Sequence, residues 1–347
     1  MKKKVLSVIL AGVMACGLMA GCGSTAEAPA EEAATETTEE AEAPAEDEAA
    51  APEQVYRIGI CQLVQHAALD AATQGFEDAL VELLGEDGVE FDYQDAAGDS
   101  ATCATIVNNF VADGVDLILA NATAPLQAAS TATTDIPVLG TSVTDYATAL
   151  DIADWTGSTG INVSGTCDLA PLDQQAAMIQ ELFPDCKKVG ILYCSAEPNS
   201  KYQATKITEY LTELGIEAEE FSFADSNDIA AVTQTACDGS DVIYIPTDNT
   251  AASCTATIDP IATDAQTPIV AGEAGICEGC GVATLSISYY SLGYETGKMA
   301  YEVLVNGADV STMEVQYAGE LTKQYMADRC EALGVTVPDD YEAITAE

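Results

Sequence analysis

The stretch Arg57-Ile58-Gly59-Ile60 decides the fold, because a similar stretch recurs in the second half of the chain. Its counterpart is Lys188-Val189-Gly190-Ile191, whose glycine comes 131 positions after Gly59. A second pair, Ile136-Pro137-Val138 and Thr267-Pro268-Ile269, has the same separation. Two apolar motifs repeated at one constant spacing indicate that the chain holds two similar halves.

Short apolar runs alternate with longer amphipathic segments in both halves. The runs have the length of strands, and the segments have the apolar spacing of helices. In the first half the predicted strands are Tyr56–Ile60, Val89–Tyr93, Val115–Ala120 and Ile136–Gly140, and the predicted helices are Ala67–Leu84, Ser100–Ala112 and Ala124–Thr131. In the second half the predicted strands are Val189–Tyr193, Glu217–Phe221, Val242–Ile245 and Pro268–Ala271, and the predicted helices are Ser200–Leu214, Asp228–Cys237 and Thr250–Thr263. Because each right-handed crossover between parallel strands carries a helix, the alternation predicts an α/β fold of two Rossmann-like lobes with parallel sheets and a cleft between them.

Length and charge exclude several classes of function. The 347 residues are too many for one ordinary core and indicate about two domains. With 57 acids and 11 bases the net charge is −46, a field that repels phosphate backbones, so we expect no nucleic-acid partner. His66 is the one histidine of the sequence, which argues against a multi-histidine metal site. We expect no metal and no cofactor.

The N-terminus predicts export and attachment to a membrane. Lys2 to Lys4 precede a short apolar run that ends in small residues, which is the pattern of a secretion signal. Leu18-Met19-Ala20-Gly21-Cys22 resembles the lipobox of bacterial lipoproteins. The resemblance implies a lipoprotein signal peptide over residues 1–21 and lipidation of Cys22, with a plain signal peptide as the alternative.

An acidic segment follows the predicted lipidation site. Residues 24–54 consist mainly of Ala, Glu, Thr and Pro, with many acids and no base. A segment without an apolar face cannot offset the entropy lost on ordering. We predict that residues 22–54 comprise the lipidated Cys22 and a disordered linker between anchor and folded body; a partner-binding acidic tail is the alternative.

Ten further cysteines lie in the body of the chain. Most of them occur in apolar strand or helix patterns, where a thiol packs as a small hydrophobic group. Cys277 and Cys280 are close enough in sequence for a local bridge, but no second CxxC and no nearby His accompany them. They are expected to form either a loop clip or two free thiols.

The loops after the predicted strands are rich in polar residues. In parallel sheets ligands bind beyond the carboxyl ends of the strands, so these loops are candidate ligand contacts. The same residue types cap helices, and for any single loop capping is the simpler interpretation. The acids of these loops are Asp145, Glu197, Asp248 and Glu273, and Asp168 lies where the chain passes between the halves. Because the loops contain no Lys or Arg, acids together with hydroxyl and N–H donors favour a zwitterion such as an amino acid over a phosphate.

Catalysis has little support in the sequence. Gly-x-Ser-x-Gly and a Walker loop are both absent, and His66 has no evident nucleophile beside it. A lone histidine near a strand end is more often a hydrogen-bonding group than a general base. We therefore predict a binding protein and not an enzyme.

Several elements together resemble one known family. They are Gln62 to Ala72, Thr166 to Pro171, Gly190 to Ser200 with Glu197-Pro198-Asn199-Ser200, Tyr244 to Asn249 with Pro246-Thr247-Asp248-Asn249, and Tyr289 to Gly293. In this order they are similar to the TrpX-like substrate-binding proteins of ABC importers, which have the type I periplasmic binding-protein fold. The resemblance spans nearly all of 55–320 and implies an aromatic amino acid as ligand.

The resemblance and the loop positions together give the candidate site. Its residues are Gln65, His66, Thr123, Thr144, Asp145, Asp168, Leu169, Glu197, Asn199, Ser200, Thr247, Asp248, Asn249, Glu273, Tyr289 and Tyr290. For the two tyrosines, an apolar wall for the ligand and ordinary packing at the lobe junction are equally open.

The resemblance also implies the domain organisation and the partners. The expected N-terminal lobe comprises 55–163 plus 287–310, and the expected C-terminal lobe comprises 164–286 plus 311–347. The chain is expected to cross between them near 140–166, 283–289 and 308–316. The lobes would close on the ligand like a hinge, and the partners would be an ABC permease and ATPase. We expect a monomer outside the cytoplasm, held at the bacterial membrane by its lipid. The alternatives are a binding protein for a sugar, nucleoside or other amino acid, a lipid-anchored enzyme, and a sensor subunit.

Overall fold

The structure is a computed structural model that describes residues 54–317, 319 and 321–345. The predicted signal peptide (1–21), the lipidation site Cys22 and residues 23–53 of the predicted linker lie outside the described residues. Among the described residues, no helix is both long and apolar enough to cross a membrane.

The first sheet has six parallel strands. In spatial order they are β2 (Val89–Asp95), β1 (Tyr56–Gln62), β3 (Leu117–Asn121), β4 (Val138–Val143), β5 (Val163–Cys167) and β11 (Gln316–Tyr317). The three central strands β1, β3 and β4 are almost wholly buried, as expected for a parallel sheet covered on both faces.

The second sheet has seven strands and repeats this arrangement. In spatial order they are β7 (Glu217–Phe223), β6 (Lys188–Cys194), β8 (Val242–Ile245), β9 (Ile269–Ala271), β10 (Ala283–Ile287), β12 (Leu321–Tyr325) and β13 (Glu342–Ala343). Neighbouring strands are parallel except β10 and β12, which are antiparallel. The predicted α/β fold with two mostly parallel sheets is confirmed.

Helices connect the strands in both halves. They are α1 (Ala67–Leu84), α2 (Ser100–Asp113), α3 (Thr123–Ala132), α4 (Tyr146–Ala149), α5 (Leu172–Leu182), α6 (Pro198–Glu213), α7 (Ile229–Gly239), α8 (Asn249–Ser253), α9 (Thr255–Ala265), α10 (Ala274–Cys280), α11 (Tyr289–Leu304) and α12 (Ala327–Leu333). Two short 3₁₀ helices cover Glu86–Gly88 and Val310–Thr312. The segment predicted as one helix, Thr250–Thr263, is in fact two helices, α8 and α9.

The repeated motifs form equivalent hydrogen bonds in each half. The carbonyl oxygen of Pro137 accepts a hydrogen bond from the Ile118 amide at 3.0 Å, and that of Pro268 accepts one from the Ile243 amide at 2.9 Å. Both bonds join the third and fourth strands of their own half. The sequence repeat therefore marks equivalent positions of two similar sheets.

The first-lobe and second-lobe boundaries differ from those expected. We call the body around the first sheet the first lobe and the body around the second sheet the second lobe. Strand β5 pairs with β4, so the first sheet continues to Cys167 and does not end at 163. Strand β11 pairs with β5, so the chain from 311 to 317 belongs to the first lobe.

These pairings also move two of the three crossings. The chain passes between lobes between β5 and α5, between β10 and α11, and between β11 and β12. The chain between β10 and α11 lies within the range 283–289 that the resemblance implies for a crossing. Those expected near 140–166 and 308–316 lie further along the chain, because β5 and β11 are short polar strands that apolar patterning does not reveal.

Close packing of α1 against α11 fixes the start of α11. A Cβ atom added to Gly293 would lie 1.8 Å from the carbonyl oxygen of Ala72, and one added to Gly75 would lie 2.1 Å from that of Tyr290. Only glycine lets the two helix backbones approach this far. The contact positions Tyr289, the first residue of α11, at the junction of the lobes.

All ten cysteines in the described chain are free thiols. Cys277 and Cys280 are buried on α10, a helix where a loop was expected. The guanidinium of Arg329 donates to carbonyl oxygens at the end of α10, among them Glu278 and Gly279 at 2.7 Å each. The helix end is therefore held by an arginine, and of the two alternatives the structure has two free thiols.

Candidate ligand-binding cleft

A small cavity lies where the two lobes face each other, beyond the carboxyl ends of the strands. Its space, with the open solvent at its mouth included, is about 260 Å³. Its lining residues are His66, Leu69, Ser142, Asp168, Asn199, Thr247, Asp248, Asn249, Ala252, Glu273 and Tyr289. Eight of these eleven were predicted from the sequence. Both lobes contribute side chains, and none of the lining residues is Lys or Arg.

Hydrogen bonds across the cleft hold the lobes together. His66 Nε2 lies 3.2 Å from Asn249 Oδ1. Thr144 Oγ1 lies 3.5 Å from Thr247 Oγ1, and Gln203 Nε2 donates to both hydroxyls, at 3.3 Å and 2.5 Å. Three of these contacts, His66 to Asn249, Thr144 to Thr247 and Gln203 to Thr144, join first-lobe to second-lobe atoms, so opening the cleft would break them. The bond from Gln203 to Thr247 lies within the second lobe.

Three of the four buried acids at the cleft are committed to helix N-termini. Asp248 accepts the amides of Ala251 at 2.8 Å and Cys194 at 2.6 Å. Glu273 caps α10 through the amides of Gly275 and Ile276. Glu197 accepts five donors, including the Asn249 and Thr250 amides at the start of α8. Their carboxylates satisfy backbone N–H groups that would otherwise be orphaned.

Asp168 differs from the other three acids. Its Oδ1 accepts from the Thr144 hydroxyl and its Oδ2 from the Tyr289 hydroxyl, both at 2.9 Å. Among the described residues, no amide at the N-terminus of a helix donates to its carboxylate. Hydroxyl donors can rotate to new partners. Asp168 is therefore the carboxylate of the cavity most available to a ligand.

Burial perturbs the acids that line the cavity. Desolvation raises the pKa of Asp168 to about 6, against the opposing effect of the Tyr289 and Thr144 hydroxyls. Desolvation, with the charge of Glu197, raises the pKa of Asp248 to about 8. The pKa of Glu273 is also raised by burial, with His66 opposing the shift. The cavity thus holds buried acids with no Lys or Arg among its lining residues.

Sequence reasoning missed two polar groups at the site. Ser142 lies in β4 where the register with β5 shifts, and its φ of 56° turns it into the cavity. Its hydroxyl is buried and has no hydrogen-bond partner in the part of the chain that the structure describes. Gln203 reaches the cleft from α6, one turn after Asn199. Ser142 stands among small polar residues after an apolar strand, but its left-handed backbone has no signal in the sequence.

Several predicted site residues do not line the cavity. Tyr290 follows Tyr289 on α11 and so points about 100° away; it is 42% exposed and donates to Asp78 Oδ2 at 2.9 Å. Asp145 accepts the Thr148 amide at 2.7 Å and caps α4, as the simpler interpretation had it. Gln65 is exposed.

The remaining predicted residues are close to the cavity without lining it. Thr123 is buried at the start of α3, and Ser200 is buried one residue after Asn199. Leu169 packs against the cores of both lobes. Thr144 and Glu197 act through the hydrogen bonds described above. These residues shape or support the cleft wall.

Comparison with known proteins adds to this geometry. The family model described as "ABC transporter substrate binding protein" matches residues 57–346. The chain belongs to this family. The resemblance inferred from the sequence is thereby confirmed, and the members of this family bind solutes outside the cytoplasm.

A curated relative, the tyrosine-binding protein of Clostridioides difficile (strain R20291), is 34% identical over 304 residues, which cover 87% of this chain and 84% of the relative.

The lobe arrangement can be compared with that of two solved structures. The ABC domain in complex with L-Trp from Streptococcus pneumoniae is 32% identical, with a TM-score of 0.80 over 84% of this chain and 100% of that one. The ligand-free, open structure of a substrate-binding protein with adhesive properties from Clostridium difficile is 36% identical, with a TM-score of 0.65 over the same shares. The sequence identity is higher to the open protein, but the TM-score is higher to the complex with L-Trp. The lobes are thus arranged more as in the ligand-bound relative.

Proposed function

We propose that this protein captures an aromatic amino acid between its two lobes and delivers it to an ABC importer. One observation carries the proposal: the closed cleft buries Asp168, Asp248 and Glu273 with no Lys or Arg among the lining residues. Buried carboxylates without a cation are costly, and a ligand ammonium group would supply one. The relatives that bind tyrosine and tryptophan support the aromatic side chain.

Asp168 is our candidate for the ammonium contact. It lies at the first crossing between lobes, so a ligand bound there contacts the segment that the two lobes share. The unpartnered hydroxyl of Ser142 is a donor for the ligand carboxylate. Asn199 and Thr247 add amide and hydroxyl groups from the second lobe.

Capture follows from closure of the cleft. A ligand that contacts both lobes makes its full set of interactions only when the lobes are together, so it shifts the population toward the closed form. The hydrogen bond from Gln203 to Thr144, which joins the two lobes, belongs to the same closed form. The permease would recognise this form, and the ligand would be released unchanged, without turnover.

The predicted anchor completes the proposal. Lipidation of Cys22, after removal of residues 1–21, would hold the protein at the outer face of the cell membrane. One acyl chain contributes about 0.8 kcal/mol per buried CH₂ group. The acidic linker would let a monomeric binding body reach the transporter. Mass spectrometry of the protein extracted from membranes tests this, because a diacyl or triacyl modification at Cys22 is expected.

A thermal-shift screen tests the class of ligand. We expect L-tyrosine, L-phenylalanine or L-tryptophan to raise the melting temperature, because ligands that bind only the folded state stabilise it by mass action. The matched control is 3-(4-hydroxyphenyl)propionate, which keeps the ring and carboxylate of tyrosine but lacks the ammonium group. It should give no shift. A response confined to sugars or nucleosides, or an equal response to the control, would refute the proposal.

Affinity for the amino acid should fall as the pH is lowered. The ammonium group pairs with ionised Asp168, whose pKa near 6 in the free protein means that protons compete with the ligand. Binding should weaken about tenfold between pH 7 and pH 5, since the ionised fraction falls by that factor. Calorimetric titration at both pH values measures it. An affinity independent of pH over this range would remove Asp168 from the ammonium contact.

A further inference from the structure

A second space adjoins the cavity at the mouth of the cleft. It is a groove between the lobes whose space, with open solvent included, is about 800 Å³, and it shares Asn199 and Asn249 with the cavity. The cavity is about a third of this size and lies deeper. A ligand seated in the cavity can therefore extend past these two asparagines into the groove.

The two spaces differ in chemistry. The cavity is lined mainly by carboxyl, hydroxyl and amide groups. The first-lobe wall of the groove is mostly aliphatic, formed by Leu63, Val64, Ala97 and Ala124. The second-lobe wall is mostly polar, with Glu197, Asp225 and Thr250 among its residues, and has apolar surface at Ala196 and Pro198. The small cavity therefore suits the ammonium and carboxylate end of an amino acid, and the groove suits an apolar side chain.

We propose that the ring of the ligand enters this groove with its far end toward solvent, so that the protein also accepts aromatic amino acids elongated at the para position. The inference rests on the proposed function, because it assigns the orientation of the same ligand. It goes further by naming a wider substrate class: para-substituted aromatic amino acids as large as one carrying a second ring.

Calorimetric titration of the full chain with L-tyrosine and O-benzyl-L-tyrosine tests the inference. We expect the two dissociation constants to agree within about tenfold, because the added ring lies in open groove and displaces no protein atom. A larger loss for O-benzyl-L-tyrosine, with tyrosine still bound, would overturn the inference and leave the proposed function standing. Failure of tyrosine, phenylalanine and tryptophan alike to bind would contradict the proposed function itself.

A substitution in the groove gives an independent readout. Ala196 is exposed and lies between β6 and α6, so Ala196→Trp should fold and fill part of the groove. We expect it to weaken O-benzyl-L-tyrosine at least about tenfold more than L-phenylalanine. Ala231→Trp, at an exposed alanine of α7 outside both spaces, is the matched control and should change neither affinity. An Ala196→Trp protein that binds O-benzyl-L-tyrosine as tightly as the wild type would overturn the inference.

Discussion

Replacing Asp168 with asparagine is expected to weaken binding of an aromatic amino acid about 100-fold, since loss of one partner of a buried charge pair costs about 3 kcal/mol. Asparagine keeps the size of the side chain and can still accept from the Thr144 or Tyr289 hydroxyl. What it removes is the negative charge that faces the ligand ammonium. The affinity is measured by calorimetric titration with L-tyrosine at pH 7.5.

The same substitution should not destabilise the ligand-free protein. A carboxyl group whose pKa is raised by burial takes up protons on folding, so its charged form opposes folding at a pH above about 6. Asp168→Asn removes that penalty, and its melting temperature without ligand should equal or exceed that of the wild type. Asp173→Asn, on the exposed face of α5, is the charge-matched control for both measurements. A variant that loses stability and affinity together would show that Asp168 has a structural role instead.

Alanine at Gly293 is expected to lower stability by about 3 kcal/mol, because it forces two closely packed helices apart. Its Cβ atom would lie 1.8 Å from the carbonyl oxygen of Ala72, and backbone cannot rotate away as a side chain can. For a body of this size, the loss corresponds to a melting temperature lower by about 5 °C. Thermal unfolding followed by circular dichroism measures the shift.

The matched control for this substitution is Gly319→Ala. No atom of the described residues lies within 4 Å of a Cβ placed there, and its backbone is not left-handed. It should leave the melting temperature unchanged. If the two variants melted alike, the packing of α1 on α11 would not be the constraint that places Tyr289 at the cleft.

Much of the fold could be predicted because it depends on repeated local patterns. The helix predicted over Ala67–Leu84 has the same bounds in the structure, since its apolar stripe begins and ends at those residues. The repeat of Gly59 at Gly190 identified two similar sheets. Strands β5 and β11 could not be placed, because both are short and their pairing is set by distant partners.

The site was harder to predict than the fold for a physical reason. Loop position after a parallel strand was enough to find acids such as Glu197 and Asp248, and Asp168 was found where the chain passes between the two halves. It could not show that Asp248 and Glu273 are occupied by helix amides, because that depends on side-chain direction. Nor could it show that Gln203 reaches across the cleft, since this requires the relative placement of two lobes.

A crystal structure of the protein with L-tyrosine tests the central claim most directly. We predict the amino acid between the lobes, with its ammonium nitrogen about 3 Å from a carboxylate oxygen of Asp168. Its carboxylate should lie near Ser142, and the lobes should remain in the arrangement described here. A tyrosine bound outside the cleft, or one whose ammonium group contacts none of the buried acids, would contradict the account.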